Sequence, residues 1–349
     1  MNTQVLPIDA FDPEPERIER AADILRRGGL VAFPTETVYG LGASALDERA
    51  LGRIFAAKQR PKSDPIIAHL ARAEQLLDLA IDVPDEAWHL AERFWPGPLT
   101  LILKRHPHVP AAIAEGRATI AVRTPAHPIA HALLAAAGLP IGAPSANRFM
   151  RPSATTAQHV LEDLEGRIDC VIDGGRATMG VESTVIDLTG PAPVVLRPGG
   201  VTLDDLESVL PSIAFAPARV TAEEGHQAPG QMLKHYSPRA DVRLFRGPDQ
   251  AAVFAAMHRM ADEERTRGLR VGALLTREVA RHAPGTWDLE DLGAADDAEA
   301  QAHNLFAAMR RLDARGVDVI LVHEPEAQGL GLALADRLLR AAEGVVIDV

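Results

Sequence analysis

The chain has 349 residues, 47% of them hydrophobic and 24% charged, which is enough to bury at least one full core and excludes a disordered polymer. Its 48 Asp and Glu against 36 Lys and Arg give a net charge of −12, and aromatics reach only 4%. That balance disfavours bulk binding to a phosphate backbone and a base-stacking platform for single-stranded nucleic acid.

The acidic, proline-bearing start MNTQVLPIDAFDPEPERIER lacks the basic and apolar regions of a secretory signal. No apolar run approaches about 18 residues, so no membrane span is expected. A lone cysteine, Cys170, forms no internal disulfide and fits a reducing compartment. The expectation is a cytoplasmic protein.

Residues 15–27 read as a helix, with Ile18, Ala21, Ala22 and Leu25 on one stripe and Gly28-Gly29 as the stop. A buried strand over 30–33 ends at Pro34 and opens the segment PTETVYGLGAS. Helix 47–60, a strand near 66–70, helix 84–94, strands 99–103 and 119–123, and helix 128–137 follow. Then come the strand-like PIGAPSAN, helix 155–164, and apolar runs at 170–172, 183–188 and 194–196. Short turn sequences separate these three runs, so some antiparallel pairing among them is expected. After helix 203–210, residues 211–240 hold four prolines and no sustained period, the pattern of a linker or an active-site lid. A second alternation over 242–245, 250–267, 271–275, 298–314, 319–322 and 332–342 predicts a small parallel sheet with helices on both sides. Residues 1–212 carry 20 Lys and Arg against 27 Asp and Glu, so neither half is a basic arm.

The P-loop, GxGxxG, HExxH and GxSxG signatures are all absent. Polar residues at strand and helix ends remain, each with a bland alternative. Lys58-Gln59-Arg60-Pro61-Lys62 could complement a helix dipole at a solvated end or clamp phosphate and carboxylate. Ser145 and Asn147, two apart after Gly142-Ala143-Pro144, could close a strand or present a hydroxyl and an amide to one ligand. Arg123 could be a surface ion pair or a bidentate carboxylate holder. Thr35, Glu36 and Thr37 precede glycines that allow close approach to a ligand or a plain turn. His69 reads as a satisfied core histidine, Arg197 as a turn cation, Glu182-Ser183-Thr184 as a turn cap, and Cys170 as core filler. Together this inventory suits an anion bearing phosphates and a carboxylate better than hydrolysis between paired carboxylates.

PTETVYGLG, the Lys58-x-Arg60 pair, AVRTP, APSAN, GVESTV and VLRPG occur in one order, and with PGQMLKHYSP at 229–238 and GLGLALADRLLRAA at 329–342 they resemble the two-domain threonylcarbamoyl-AMP synthases. The resemblance implies an α/β chain: a YrdC-like catalytic domain with a mixed twisted sheet over 15–212, a linker or lid over 213–240, and a smaller Rossmann-like parallel domain over 241–349. It implies a nucleotidyltransferase that makes L-threonylcarbamoyl-AMP and pyrophosphate from L-threonine, bicarbonate and ATP with Mg²⁺. Downstream, a transferase complex modifies tRNA beside the anticodon. Lys58, Arg60, Ser145 and Asn147 would be catalytic. Thr37, His69, Arg123, Ala143 and Ser183 would hold threonine, and Arg60, Asp64, Thr119, Ser145, Ser153, Arg197 and Tyr236 would contact ATP. Asp64 stands where many relatives carry Asn. Metal ligands are not implied, no membrane partner is expected, and a monomer and a homodimer are both compatible. An RNA-binding module on the same fold is disfavoured by the acidic first domain. A carbamoyl-transfer enzyme for another amine is disfavoured by the match at the threonine positions.

Overall fold

The alternating pattern becomes a mixed sheet in the first part of the chain and a parallel one in the second. The computed structural model describes residues 2–60, 65–216 and 235–349. Two compact units emerge: Met1–Phe149 with Ser153–Gln231, and Met150–Pro152 with Met232–Val349.

In the first unit the strands run, edge to edge, Gln4–Pro7, Cys170–Asp173, Val31–Phe33, Gly40–Ser44, Ile141–Gly142, Ile67–His69, Thr119–Arg123, Leu99–Arg105, Thr184–Asp187, Val194–Arg197 and Ala214–Phe215. A short strand, Ala80–Ile81, pairs off this path with Leu99–Arg105. Parallel and antiparallel ladders alternate irregularly, and side chains divide between the two faces with the period of two that extended backbone dictates. Ile120 and Val122 join the larger core with helices Glu48–Lys58 and Asp85–Phe94. Ala121 faces the other way, into a smaller cluster with Ile67, Ile102, Val185 and Leu196. A third cluster packs helices Pro15–Arg26 and Pro128–Ala137 over Val31, Phe33 and Cys170.

The expected antiparallel pairing is present between the second and third apolar runs, while Cys170–Asp173 lies toward the opposite edge, parallel to Val31–Phe33. Short turns suggested local pairing, yet the intervening chain instead docks on residues 36 and 37, where Glu36 and Thr37 carbonyls accept from Met179 and Gly180. The N-terminal segment also supplies a strand, Gln4–Pro7, which buries Leu6 alone and so shows no periodicity to read.

The second unit is a wholly parallel five-stranded sheet in the order Asp288–Asp291, Val271–Leu275, Val319–His323, Asp241–Arg246, Val346–Asp348. Val271, Ala273 and Leu275 pack with Val253 and Met257 of helix Gln250–Thr266. Gly272 turns to the other face, where a Cβ would lie 3.1 Å from Leu312 of helix Ala298–Ala314. Helices therefore cover both faces, as expected for parallel strands. Both edge strands escaped the pattern because they are short and one, DLED, is mostly charged. Among the described residues no helix is long and apolar enough to cross a membrane.

Candidate active site

The helix Glu48–Lys58 starts at Asp47, whose carboxylate accepts the Arg49 and Ala50 N–H groups at 2.9 and 3.2 Å. It ends where Gln59 enters the left-handed region at φ 54°. The Gln59 N–H then bonds the Ala56 carbonyl at 3.3 Å and the Arg60 N–H bonds Phe55 at 3.0 Å, the two bonds of a Schellman stop. This reversal buries both cations of the Lys-x-Arg pair at 2% and 8% exposure, so a solvated helix end is the wrong description. The Lys58 ammonium donates to the carbonyls of Ser145 and Asn147, the latter at 2.6 Å. Its own carbonyl accepts the Phe149 N–H at 2.9 Å. The two signature pairs are thus one unit: a buried cation ties down the loop that presents Ser145 and Asn147. Arg60 donates to the Pro65 carbonyl at 2.9 Å.

A second group forms a row across one face of the sheet. His69 is paired with Arg123. Ile102 is opposite Ala121, Thr100 two residues away is opposite Val185, and Val185 is opposite Arg197. Period-two alternation puts His69, Arg123, Thr100, Ser183 and Arg197 on the same side, and the Thr100 and Ser183 hydroxyls meet at 2.8 Å. Arg123 donates to the Thr37 hydroxyl at 3.0 Å and to the Gly97 carbonyl at 3.1 Å. Arg197 donates to the Ser183 carbonyl at 2.9 Å and to its hydroxyl at 3.1 Å. Gly199 is required here: a Cβ on it would lie 2.4 Å from the Glu182 carbonyl oxygen. Ala143 continues the row beyond His69, its N–H bonded to the Ile67 carbonyl at 2.9 Å.

His69 is buried, with Nδ1 3.2 Å from the Ile67 carbonyl and its ring edge-on to Phe33. Burial, and secondarily the Arg123 guanidinium, push its pKa down to about 3. It therefore stays neutral at physiological pH, able to donate one hydrogen bond and accept another but not to offset phosphate charge.

The other expected contacts are less connected. Ser153 is buried and donates to the Glu182 carboxylate at 2.5 Å. Thr119 begins the strand that Arg123 ends, four residues or about 13 Å away. Tyr236 belongs to the second unit, where its buried ring lies 5.2 Å from Phe306 and 5.3 Å from the Arg337 guanidinium. Asp64, and residues 217–234 of the expected lid, lie outside the described residues. Among the described residues no group of three or more His, Cys, Asp or Glu could hold a metal ion. The Mg²⁺ expected with ATP finds no protein-built site among these residues.

Two family models match the chain. The one described as "Telomere recombination" (Sua5, YciO and YrdC) matches residues 23–199, and "Threonylcarbamoyl-AMP synthase, C-terminal domain" matches 201–343. The threonylcarbamoyl-AMP synthase of Pyrococcus abyssi is 46% identical over 338 residues, 96% of this chain and 97% of that protein. The chain belongs to the threonylcarbamoyl-AMP synthase family. The Bacillus subtilis synthase is 40% identical across 97% of this chain and 96% of its own. The crystal structure of P. abyssi Sua5 complexed with L-threonine superposes with a TM-score of 0.93 at 45% identity, covering 99% and 100% of the two chains.

Within this synthase fold, three polar residues of the site escaped assignment from sequence. Thr100 sits in an apolar run and reads as strand. Glu182 precedes the motif residue Ser183 and reads as a cap. Glu36 lies inside PTETVYGLG, where attention falls on the threonines; its Oε1 is 2.6 Å from Arg123 Nη2.

Proposed function

We propose that this chain condenses L-threonine, bicarbonate and ATP into L-threonylcarbamoyl-AMP and pyrophosphate, supplying a transferase that modifies adenosine beside the anticodon of tRNA. The observation that carries the reading is the row of His69, Arg123, Ser183 and Arg197 on one sheet face, with Thr37 bonded to Arg123.

Each residue has a task set by its chemistry. Arg123 offers the planar fork that matches the threonine carboxylate. Neutral His69 and the Ser183 hydroxyl suit the threonine hydroxyl. Carboxylating the amine yields an N-carboxy anion, whose oxygen must then meet the α-phosphorus in line with departing pyrophosphate. Two anions must approach each other, so positioning and fixed positive charge dominate the barrier. Arg60 and Arg197 supply that charge as pre-oriented guanidinium groups, while Lys58 fixes the Ser145–Asn147 loop and lends its field. Mg²⁺ carried on the triphosphate would add further neutralisation.

The test is pyrophosphate release by the full chain with one substrate omitted at a time. The expected result is release that requires threonine, bicarbonate and ATP together. Release of inorganic phosphate instead, or of pyrophosphate without threonine, refutes the proposal.

A further inference from the structure

Glu36 is, with Glu182, one of two acids in a site built mainly from donors. Its side chain is 12% exposed, and Arg123 Nη2 approaches Oε1 to 2.6 Å. This is an ion pair without hydrogen-bond alignment: Arg123 Nη2, Glu36 Oε1 and Glu36 Oε2 are buried and none makes a hydrogen bond. Buried polar atoms are nearly always satisfied, and an ionised carboxylate has about four acceptor positions. A frayed loop does not explain these unbonded oxygens, because the backbone is pinned. The Glu36 carbonyl accepts the Met179 N–H at 2.8 Å, and the Thr37 carbonyl accepts that of Gly180 at 3.0 Å. Glu182, another buried acid nearby, differs in that it already accepts the Ser153 hydroxyl.

What fits beside Glu36 must bring several N–H donors and a positive charge, next to an anion that can take Arg123. An α-amino acid zwitterion has this pattern. A triphosphate does not, since Glu36 would repel it, so the acid marks the amino-acid end of the site. Resting on the synthase reading above, we infer that Glu36 binds the α-amino group of the substrate and accepts its proton during carboxylation. The substrate carboxylate displaces Glu36 from Arg123, and one ion pair becomes two. The bound ammonium first releases one proton to solvent; when the neutral amine left behind attacks bicarbonate, the C–N bond forms with the nitrogen lone pair. The N–H bond breaks toward Glu36 Oε, and the C–O bond to the bicarbonate hydroxyl breaks. Glu36 then returns its proton to that hydroxyl, which leaves as water, and the carboxylate is regenerated.

The experiment pairs equilibrium binding with turnover in the full chain, using threonine and 3-hydroxybutyrate, which keeps the carboxylate and hydroxyl but lacks the amine. The unaltered chain should bind threonine at least ten-fold more tightly. Glu36→Gln, close to isosteric, should weaken threonine binding ten-fold or more and leave 3-hydroxybutyrate binding unchanged or tighter. Its kcat for threonine-dependent pyrophosphate release should fall about 100-fold or more, the range for a lost general base. Equal affinity of the unaltered chain for the two ligands overturns the inference without any variant. Threonine binding and turnover within two-fold of the unaltered chain in Glu36→Gln overturn it too, and both results leave the synthase reading standing. An unaltered chain that binds no threonine overturns that reading and this inference with it.

Discussion

Lys58→Met isolates what the buried ammonium does. The substitution keeps an unbranched side chain of similar length and removes the charge that ties Ser145 and Asn147 together. Lys58 is 2% exposed, so water does not replace it freely. Methionine brings no desolvation cost of its own, and what remains is two buried carbonyls without their donor, each worth about 1–3 kcal/mol. The sum is about 2–6 kcal/mol. For a unit of this size 1 kcal/mol shifts Tm by roughly 2–4 °C, which puts the fall at about 4–24 °C. Calorimetry of the full chain reads it as a lowered transition of the first unit, with that of the second unchanged. Pyrophosphate release should be lost alongside, because the loop carrying Ser145 and Asn147 is released from the helix end. A transition lowered by less than about 2 °C would refute the claim that Lys58 organises this loop.

The pH dependence follows from His69, whose folded pKa of about 3 lies below the unfolded value of about 6.5. Above pH 6.5 both states are neutral and the residue contributes nothing. Below it the unfolded chain binds a proton that the folded chain refuses, so stability falls with falling pH. By pH 5 the loss is about 2 kcal/mol. Urea unfolding at pH 7 and pH 5 should show this loss in the native chain and its absence in His69→Asn; equal changes in both would contradict it. Cys170 is buried and its thiol is pushed up to about 12 by burial, so iodoacetamide at pH 8 should label it only as the chain unfolds. Rapid labelling of folded protein would mean that the strand Cys170–Asp173 is not interior. In the second unit, Asp313 accepts from Arg151 at 2.9 Å and from the Arg239 N–H at 2.8 Å while 2% exposed. Asp313→Ala strands the Arg239 and Ala240 N–H groups and should cost about 1–3 kcal/mol, read as a lowered second-unit transition in calorimetry; an unchanged one argues against it.

Much of this molecule follows from local sequence. Residues 119–123, 128–137 and 298–314 form the strand and helices their periodicity requires, because burying an apolar stripe or face needs only neighbours a few residues away. The motif order was enough to select the family, and the wholly parallel second sheet follows from its alternating helices and strands. Tertiary structure decided the rest. Charge and spacing could not tell a solvated helix end from a buried one, and Lys58 is buried because the chain between residues 141 and 149 folds back over that end. Nor could they show that Thr100, an apolar strand's one hydroxyl, meets Ser183 across 83 residues. Strand register brings these side chains to one face, and register is set by long-range pairing that no local period encodes. Glu36 depends on that register most of all: its neighbours in sequence make it a turn residue, and only the register brings Arg123, on a distant strand, within 2.6 Å of its carboxylate.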